Sequence, residues 1–453
     1  MGMRRKEALS FGLLLFILVL LSSPAAAGGG DPLRISLEEA VTMALENRIN
    51  LGAAAAAVAE AEANLKKAEA TRWPGLTLSA SGTKIDPEPQ IPGGIGGGIG
   101  GIGIMPNPSY STGLTLTWPL YTGGKVSSGI KMASLGLAAA RADYEKRREE
   151  VIAAAVNGYV NLLKAEGLLE ISRRQVEIVK EHLEMVELKM ALGAATKTDL
   201  LETRVRLSQA EQGLARTEHG RALAEMNLKN LLGLTGDEEL ILAELPAMEK
   251  DLPLPALEEA TGTALECRKE LAGLRYYLAI AEENLRMAKG FWKPTVALVG
   301  NYAESQSKSP GLSDPTLTVT LGLEASLFSG GGKLAEVREK EAALEKGEYN
   351  YRQAVEGIKL EIRQKHLAVT EKLHGLELAV LTLEQAEENY EFTRARYELG
   401  AAQNLEVLTA QNTLYQCRFE ELSAGYDYFL AVMELYQAMG KIERFLEEVK
   451  PDA

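Results

Sequence analysis

The chain has 453 residues, of which 46% are hydrophobic and 25% charged, and this composition excludes a disordered chain. Its 49 Lys and Arg against 63 Asp and Glu give a net charge of −14, the wrong sign for a nucleic-acid binder. Two cysteines, Cys267 and Cys417, cannot build a disulfide framework, and four scattered histidines argue against a His-based metal site.

The amino terminus reads as an export signal. Arg4, Arg5 and Lys6 precede an apolar run from Phe11 to Leu21, and Ala25 and Ala27 fit an A-x-A cleavage site. A secretory signal peptide over residues 1–27 is therefore expected. The run falls short of the ~20 apolar residues that a spanning helix needs. No cysteine follows the site, so lipid attachment there is not expected. No later stretch reads as a membrane helix, which leaves an exported chain that is soluble or inserted through strands.

The rest of the chain is one unit written twice. Ser36-Leu37-Glu38-Glu39-Ala40 recurs as Ala256-Leu257-Glu258-Glu259-Ala260, and Ala44-Leu45-Glu46 as Ala264-Leu265-Glu266. Leu120-Tyr121-Thr122-Gly123-Gly124 matches Leu327-Phe328-Ser329-Gly330-Gly331, and Leu192-Gly193-Ala194-Ala195 matches Leu399-Gly400-Ala401-Ala402. The register shifts once, between Pro74 and Leu120, where the Gly-rich run Pro92–Gly103 is inserted. Residues 28–250 and 251–453 form the two halves, and Asp251–Pro255 links them.

Each half predicts helix, strand, strand, long helix, turn, helix. A capping box from Ser36 to Glu39 opens the first helix, which is expected to continue to about Arg72. Strands are expected at about 74–84 and 111–121, and again at 294–304 and 315–328. Leu76, Leu78 and Ala80 alternate with Thr77, Ser79 and Ser81. Leu114, Leu116, Trp118 and Leu120 alternate with Thr115 and Thr117. Thr316–Leu327 continues the pattern most clearly. Strands of roughly 9–11 residues with one apolar and one polar face suit a membrane barrel, and equally a half-buried sheet in a soluble protein. The aromatics Trp73, Trp118, Tyr121, Trp292 and Phe328 sit at the helix-proximal strand ends, as an interfacial girdle would. Core packing at the strand–helix junction is the alternative.

The helices make up the bulk. Lys125 to Leu192 runs without proline, roughly 100 Å if continuously helical, and Lys333 to Leu399 repeats it. Helical hairpins are expected over 125–234 and 333–446. A coiled-coil seam steps through Val176, Val179, Leu183, Val186 and Met190. A second steps from Leu405 and Leu408 to Met433 and Tyr436.

This organisation resembles the TolC family of outer-membrane efflux proteins. The duplication, the Leu-Tyr-Thr-Gly-Gly-Lys and Leu-Phe-Ser-Gly-Gly-Gly-Lys joints and the Leu-Gly-Ala-Ala turns carry the resemblance, in this order and spacing. It implies a mainly α fold with a small membrane β part. Three copies would form a 12-stranded outer-membrane β-barrel and a long periplasmic α-helical coiled-coil tunnel. The implied partners are a homotrimer, a periplasmic adaptor (membrane fusion protein), outer-membrane lipid and an inner-membrane pump of RND, ABC or MFS type. The chain would be a passive exit duct. By the same resemblance Leu192, Gly193, Ala194, Leu399, Gly400 and Ala401 would dock the adaptor. Asp199, Glu202 and Glu406 would narrow the aperture. Thr409 stands where relatives often carry an acid, a departure that weakens the second-half site. Solvated charges favoured by a helix start are the plain alternative for these acids. The competing function is a periplasmic coiled-coil scaffold without a channel.

Two motifs fail on context. Gly98-x-Gly100-x-x-Gly103 lies in a Pro/Gly-rich loop with no helix opening after it, and the Gly-Gly-Lys joints at Lys125 and Lys333 lack the earlier Gly and the Ser/Thr of a phosphate loop. His366 and His374 have no ligand partners in sequence. No nucleophile–base constellation appears, so neither catalysis nor a cofactor is expected.

Overall fold

Two antiparallel helical hairpins carry the structure, seen in a computed structural model that describes residues 33–84, 86, 109–235, 240–245, 254–306 and 315–449. The expected signal peptide and the Gly-rich run lie outside the described residues. The first hairpin pairs α3 (Lys125–Ala191) with α4 (Lys197–Leu232), and the second pairs α7 (Gly332–Glu398) with α8 (Asn404–Ala438). Each long helix has 67 residues, which at 1.5 Å per residue spans about 100 Å. Among the described residues no helix is long and apolar enough to cross a membrane.

The helix expected from Ser36 to Arg72 is broken into α1 (Leu37–Glu46) and α2 (Arg48–Ala70). Its capping box forms as expected, with Glu39 N donating to Ser36 Oγ and Ser36 N to Glu39. The break comes from Asn47. Its side-chain oxygen accepts from Ile49 N, and its amide donates to Leu231 O at 3.1 Å. Asn side chains compete with the helix for backbone partners, and here the tertiary partner wins. The second half breaks one residue beyond the equivalent of Asn47, which is Cys267, between α5 (Leu257–Cys267) and α6 (Lys269–Lys289). There Arg268 Nε donates to Ala438 O at 2.9 Å. Leu231 and Ala438 are equivalent residues of the repeat. In both halves, a side chain at the break holds the last-turn carbonyl of the returning helix.

The second hairpin was expected to run to 446. It stops at Ala438, turns at Gly440 (φ +68°) and continues as a separate short helix α9 (Ile442–Glu448). A Cβ on Gly440 would lie 3.2 Å from the Cys267 backbone, so the turn must be tight and bare there. The seam of α8 also departs from expectation at its start. Leu405 is exposed, while Asn404, Val407, Leu408, Gln411 and Leu414 are buried.

Both halves share one core at mid-length. Val156, Tyr159 and Leu162 of α3 meet Leu228 of α4, Ile362 of α7, Met433 and Leu435 of α8 and Phe445 of α9. A parallel pair of short strands that the sequence did not suggest, β1 (Leu33–Ile35) and β4 (Leu240–Leu242), closes over this core. The fully buried Tyr159 hydroxyl donates to Ala243 O at 2.6 Å and lies 3.1 Å from Ile35 O. Burial pushes its pKa up to about 12, so it remains a donor at every physiological pH.

At one end, β2 (Gly75–Thr83), β3 (Ser109–Tyr121), β5 (Thr295–Gln306) and β6 (Thr316–Glu324) form an antiparallel sheet in the order β2-β3-β5-β6. The last strand is shorter than the expected 315–328. Its partner β5 begins at Thr295, which pairs with Glu324, and Pro294 before it has no N–H to offer, so 325–329 lose their ladder. A bulge at Pro119–Tyr121 removes Leu120 from the face it was expected to share with Trp118.

Replacing Tyr159 with Phe should destabilise the mid-length core by about 1–2 kcal/mol, the cost of leaving buried carbonyls without their donor. Thermal unfolding of the detergent-solubilised protein should show a lower midpoint, with the helical content below the transition unchanged.

Candidate functional site

The sheet sorts its side chains by register. One face carries Leu76, Leu78, Leu114, Leu116, Trp118, Leu298, Tyr302, Leu317, Val319, Leu321 and Leu323, with Thr112 and Glu304 paired at its helix-distal end. The other carries Thr77, Ser79, Ser81, Thr115, Thr117, Asn301, Thr316, Thr318 and Thr320. Ser81 and Ser111 hydroxyls bond at 2.8 Å, and Thr115 donates to Asn301 at 3.2 Å, so the polar face is laced across strands. Every residue of β2 and β6 is exposed within one protomer. That leaves an apolar face of Leu and Val open to its surroundings, far beyond what a soluble sheet shows.

At the helix-proximal border stand the aromatics. Trp73 and Trp292 are exposed, as are Tyr121 and Phe328, and Trp118 is partly so. Trp118 Nε1 donates to Arg72 O at 3.2 Å, which ties the sheet to the end of α2. Gly123 and Gly124 (φ +66° and +95°) and Gly330 and Gly331 (φ +62° and +83°) turn each strand into its long helix. Consecutive left-handed residues are accessible to glycine without strain, which explains the Gly-Gly at both joints.

At the far end the two tip turns are copies. Gly193 N donates to Met190 O and Ala194 N to Lys189 O. Gly400 N donates to Tyr397 O and Ala401 N to Arg396 O. This is the Schellman arrangement, with Gly193 (φ +73°) and Gly400 (φ +75°) as the left-handed residues. Leu192 and Leu399 project from the turns at 76% and 86% exposure, and Ala194 and Ala401 lie beside them on the surface.

The acidic candidates have local work at this tip. Asp199 closes the capping box of α4, accepting from Thr196 N at 2.8 Å and from Thr196 Oγ1 at 2.7 Å. Glu406 does the same for α8, accepting from Gln403 N at 2.9 Å, and pairs with Arg396 at 3.5 Å. Glu202, one turn beyond Asp199, is exposed. The helix-start reading of Asp199 and Glu406 thus accounts for their position by itself, while Glu202 has no such duty.

Sequence patterns did not point to a buried polar cluster just above the turns. His182 of α3 is 4% exposed and its Nε2 lies 2.8 Å from Asn404 Oδ1. Asn404 Nδ2 donates to Asp199 O and to Thr203 Oγ1, both at 3.3 Å, so its oxygen faces His182 and the imidazole is the donor. The His182 and Tyr397 rings lie 5.3 Å apart, and Lys189 Nζ sits 4.0 Å over the Tyr397 ring. Lys189 also donates to Tyr397 O. One cluster thereby joins all four hairpin helices. His374, by contrast, is exposed beside Glu377, and Cys267 and Cys417 are free thiols.

Comparison with known proteins agrees with this geometry. The family model "Outer membrane efflux protein" matches residues 40–234 and 260–441, one segment for each half. The chain belongs to the outer membrane efflux protein family. The alkaline protease secretion protein AprF of Pseudomonas aeruginosa is 27% identical over 336 residues, 71% of this chain and 68% of its own. Outer membrane protein TolC of Vibrio cholerae is 22% identical over 348 residues, 73% of this chain and 77% of its own. The crystal structure of CusC superposes with a TM-score of 0.78 at 20% identity, covering 92% of this chain and 95% of that one. The chain is thus an outer-membrane channel of the efflux and secretion class, with its helical part in the periplasm. Its relatives are channel proteins and not enzymes. Nothing among them supports the scaffold reading.

Gly193→Ala should cost about 1–2 kcal/mol from the left-handed backbone alone, since nothing lies within 4 Å of the added Cβ. Amide exchange should quicken in Leu188–Ala194 and stay unchanged in the mid-length core. Gly193→Asn should come close to the parent, because Asn tolerates that conformation.

Proposed function

We propose that three copies of the chain close a 12-stranded barrel and act as the passive exit duct of a tripartite assembly. The open sheet is the observation that supports this reading most strongly. With four alternating strands, β6 of one copy can pair with β2 of the next and remain antiparallel around the ring. Barrels in the outer membrane start at roughly eight strands, so one copy cannot close alone. Closure would satisfy both edges, turn the Leu/Val face to lipid and leave the Ser/Thr face on a water-filled lumen. Trp73, Trp118, Tyr121, Trp292 and Phe328 would then sit at the periplasmic interface, where amphipathic rings settle.

The tip turns would meet a periplasmic adaptor. Leu192 and Leu399 offer apolar knobs on two identical turns, and Gly193, Ala194, Gly400 and Ala401 keep the backbone beside them open to a partner's side chains. The pump behind the adaptor, of RND, ABC or MFS type, would supply the energy. Relatives named for alkaline protease secretion and for pyoverdine export indicate a class that passes both proteins and small molecules. Selection of cargo would then lie with the pump.

Asp199, Glu202 and Glu406 would gather around the axis at the tip in the trimer. Carboxylates brought together repel one another and favour a bound cation. Glu202 is the informative member, since Asp199 and Glu406 also cap helices.

Extraction of the outer membrane with mild detergent should yield a particle of three protomers. A monomer in the periplasmic fraction would overturn the duct. In planar bilayers a multivalent cation such as hexaamminecobalt, added on the tip side, should block the current. Glu202→Gln should weaken that block, and an unchanged block would remove Glu202 from the aperture.

A further inference from the structure

We propose that His182 and Asn404 form a proton-sensitive latch between the two hairpins, and that acid loosens the tip by charging His182. The latch is a single contact between repeats. His182 belongs to α3 of the first hairpin, and Asn404 is the first residue of α8 in the second. Asn404 passes the connection on to α4 through Asp199 O and Thr203, while Tyr397 of α7 covers the imidazole.

The pocket accepts a neutral ring and resists a charged one. His182 is enclosed, and the cations that face it come from two elements: Lys189 on α3 itself and Arg394 on α7. From α4 it is met through Asn404 by the backbone carbonyl of Asp199, whose carboxylate is committed to the Thr196 cap. From α8 it meets the neutral Asn404 amide, and the nearby Glu406 carboxylate is held by Gln403 N and Arg396. Glu398 of α7 is taken up by Arg394 at 3.2 Å, so among the described residues no carboxylate hydrogen-bonds the ring to offset a new positive charge. Burial outweighs the Asn404 hydrogen bond, which favours the charged ring, and with Lys189 and Arg394 adding to it holds the His182 pKa below the ordinary histidine range.

The sign of the pH effect follows. A base whose folded pKa is depressed contributes stability that is present above its unfolded pKa, near 6.5 in an exposed histidine. That stability is lost as pH falls through the folded value. The latch therefore holds at neutral pH and weakens in acid, as the ring takes up its proton below the ordinary histidine range. The outer-membrane position exposes the tip to a compartment whose pH follows the surroundings.

Gln at position 182 keeps an amide donor toward Asn404 and cannot take up a proton. The current readout rests on the duct reading. Bilayer conductance of the full-length protein should rise several-fold as the tip-side pH falls from neutral to mildly acidic, and His182→Gln should flatten that rise. A second readout needs no channel. Spin labels at the exposed Leu188 and Leu405, with Cys267 and Cys417 replaced by Ala, would report the α3–α8 separation directly. The distance should widen in acid with His182 and stay fixed in His182→Gln. If the protein conducts yet the pH response is the same in both, the latch is wrong and the duct stands. If no current appears but the distance responds as expected, the duct fails and the latch stands. A distance that ignores pH overturns the latch in either case.

Discussion

A four-stranded sheet with two free edges and an uncovered apolar face is not a stable object in water or in lipid. In water the Leu and Val face costs free energy for every exposed square ångström. In hydrocarbon each unpaired edge N–H and C=O costs several kcal/mol, and no solvent is present to satisfy it. Ring closure with further copies removes both penalties at once. The rest of the molecule serves this requirement: hairpins long enough to reach far from the membrane, and a mid-length core that fixes the two halves so their strands emerge side by side.

That core explains why the broken helices matter. An uninterrupted first helix would run past the hairpin it must join. Asn47 and Arg268 stop it and spend their side chains on Leu231 O and Ala438 O, carbonyls of the last helical turn that have no partner within their own helix. The same requirement is met by an amide in one half and a guanidinium in the other. The duplicated halves have thus kept the connection while making it from neighbouring positions of the repeat. Tyr159 adds the third tie, drawing the β1–β4 pair down onto α3.

Much of this was legible in the sequence because it is periodic or punctuated. Alternation set the strands, absence of proline set the long helices, and Leu-Gly set the turns, which the structure resolves into two matching Schellman ends. What escaped was non-local. The break at Asn47 depends on a carbonyl from α4, far along the chain. The exposure of Leu405 depends on α3 claiming the neighbouring stripe of α8. The short parallel pair β1–β4 has too few residues for any alternation to register. At the tip, the pattern located Asp199 and Glu406 but not their capping work alone, and His182 is invisible without Asn404 opposite it.

The apolar and the polar contacts of the stalk also differ in physical character. Each half has a continuous covalent turn, and buried apolar side chains such as Val186, Leu200, Tyr390 and Val407 form one cluster across all four hairpin helices. Between halves, α3 and α8 share the mid-length apolar core and also meet through polar pairs: Lys164–Asp427 at 2.7 Å, Ser172–Tyr415 at 3.3 Å and His182–Asn404 at 2.8 Å. Polar contacts exchange for water at a small net cost, whereas separating an apolar seam loses its whole hydrophobic term. Along the line between hairpins, the stretches held by these polar pairs therefore separate at less cost than the apolar clusters that also cross it. If the proposed duct widens between repeats, these polar pairs are the contacts that would exchange for water, while the covalent turn keeps each hairpin together.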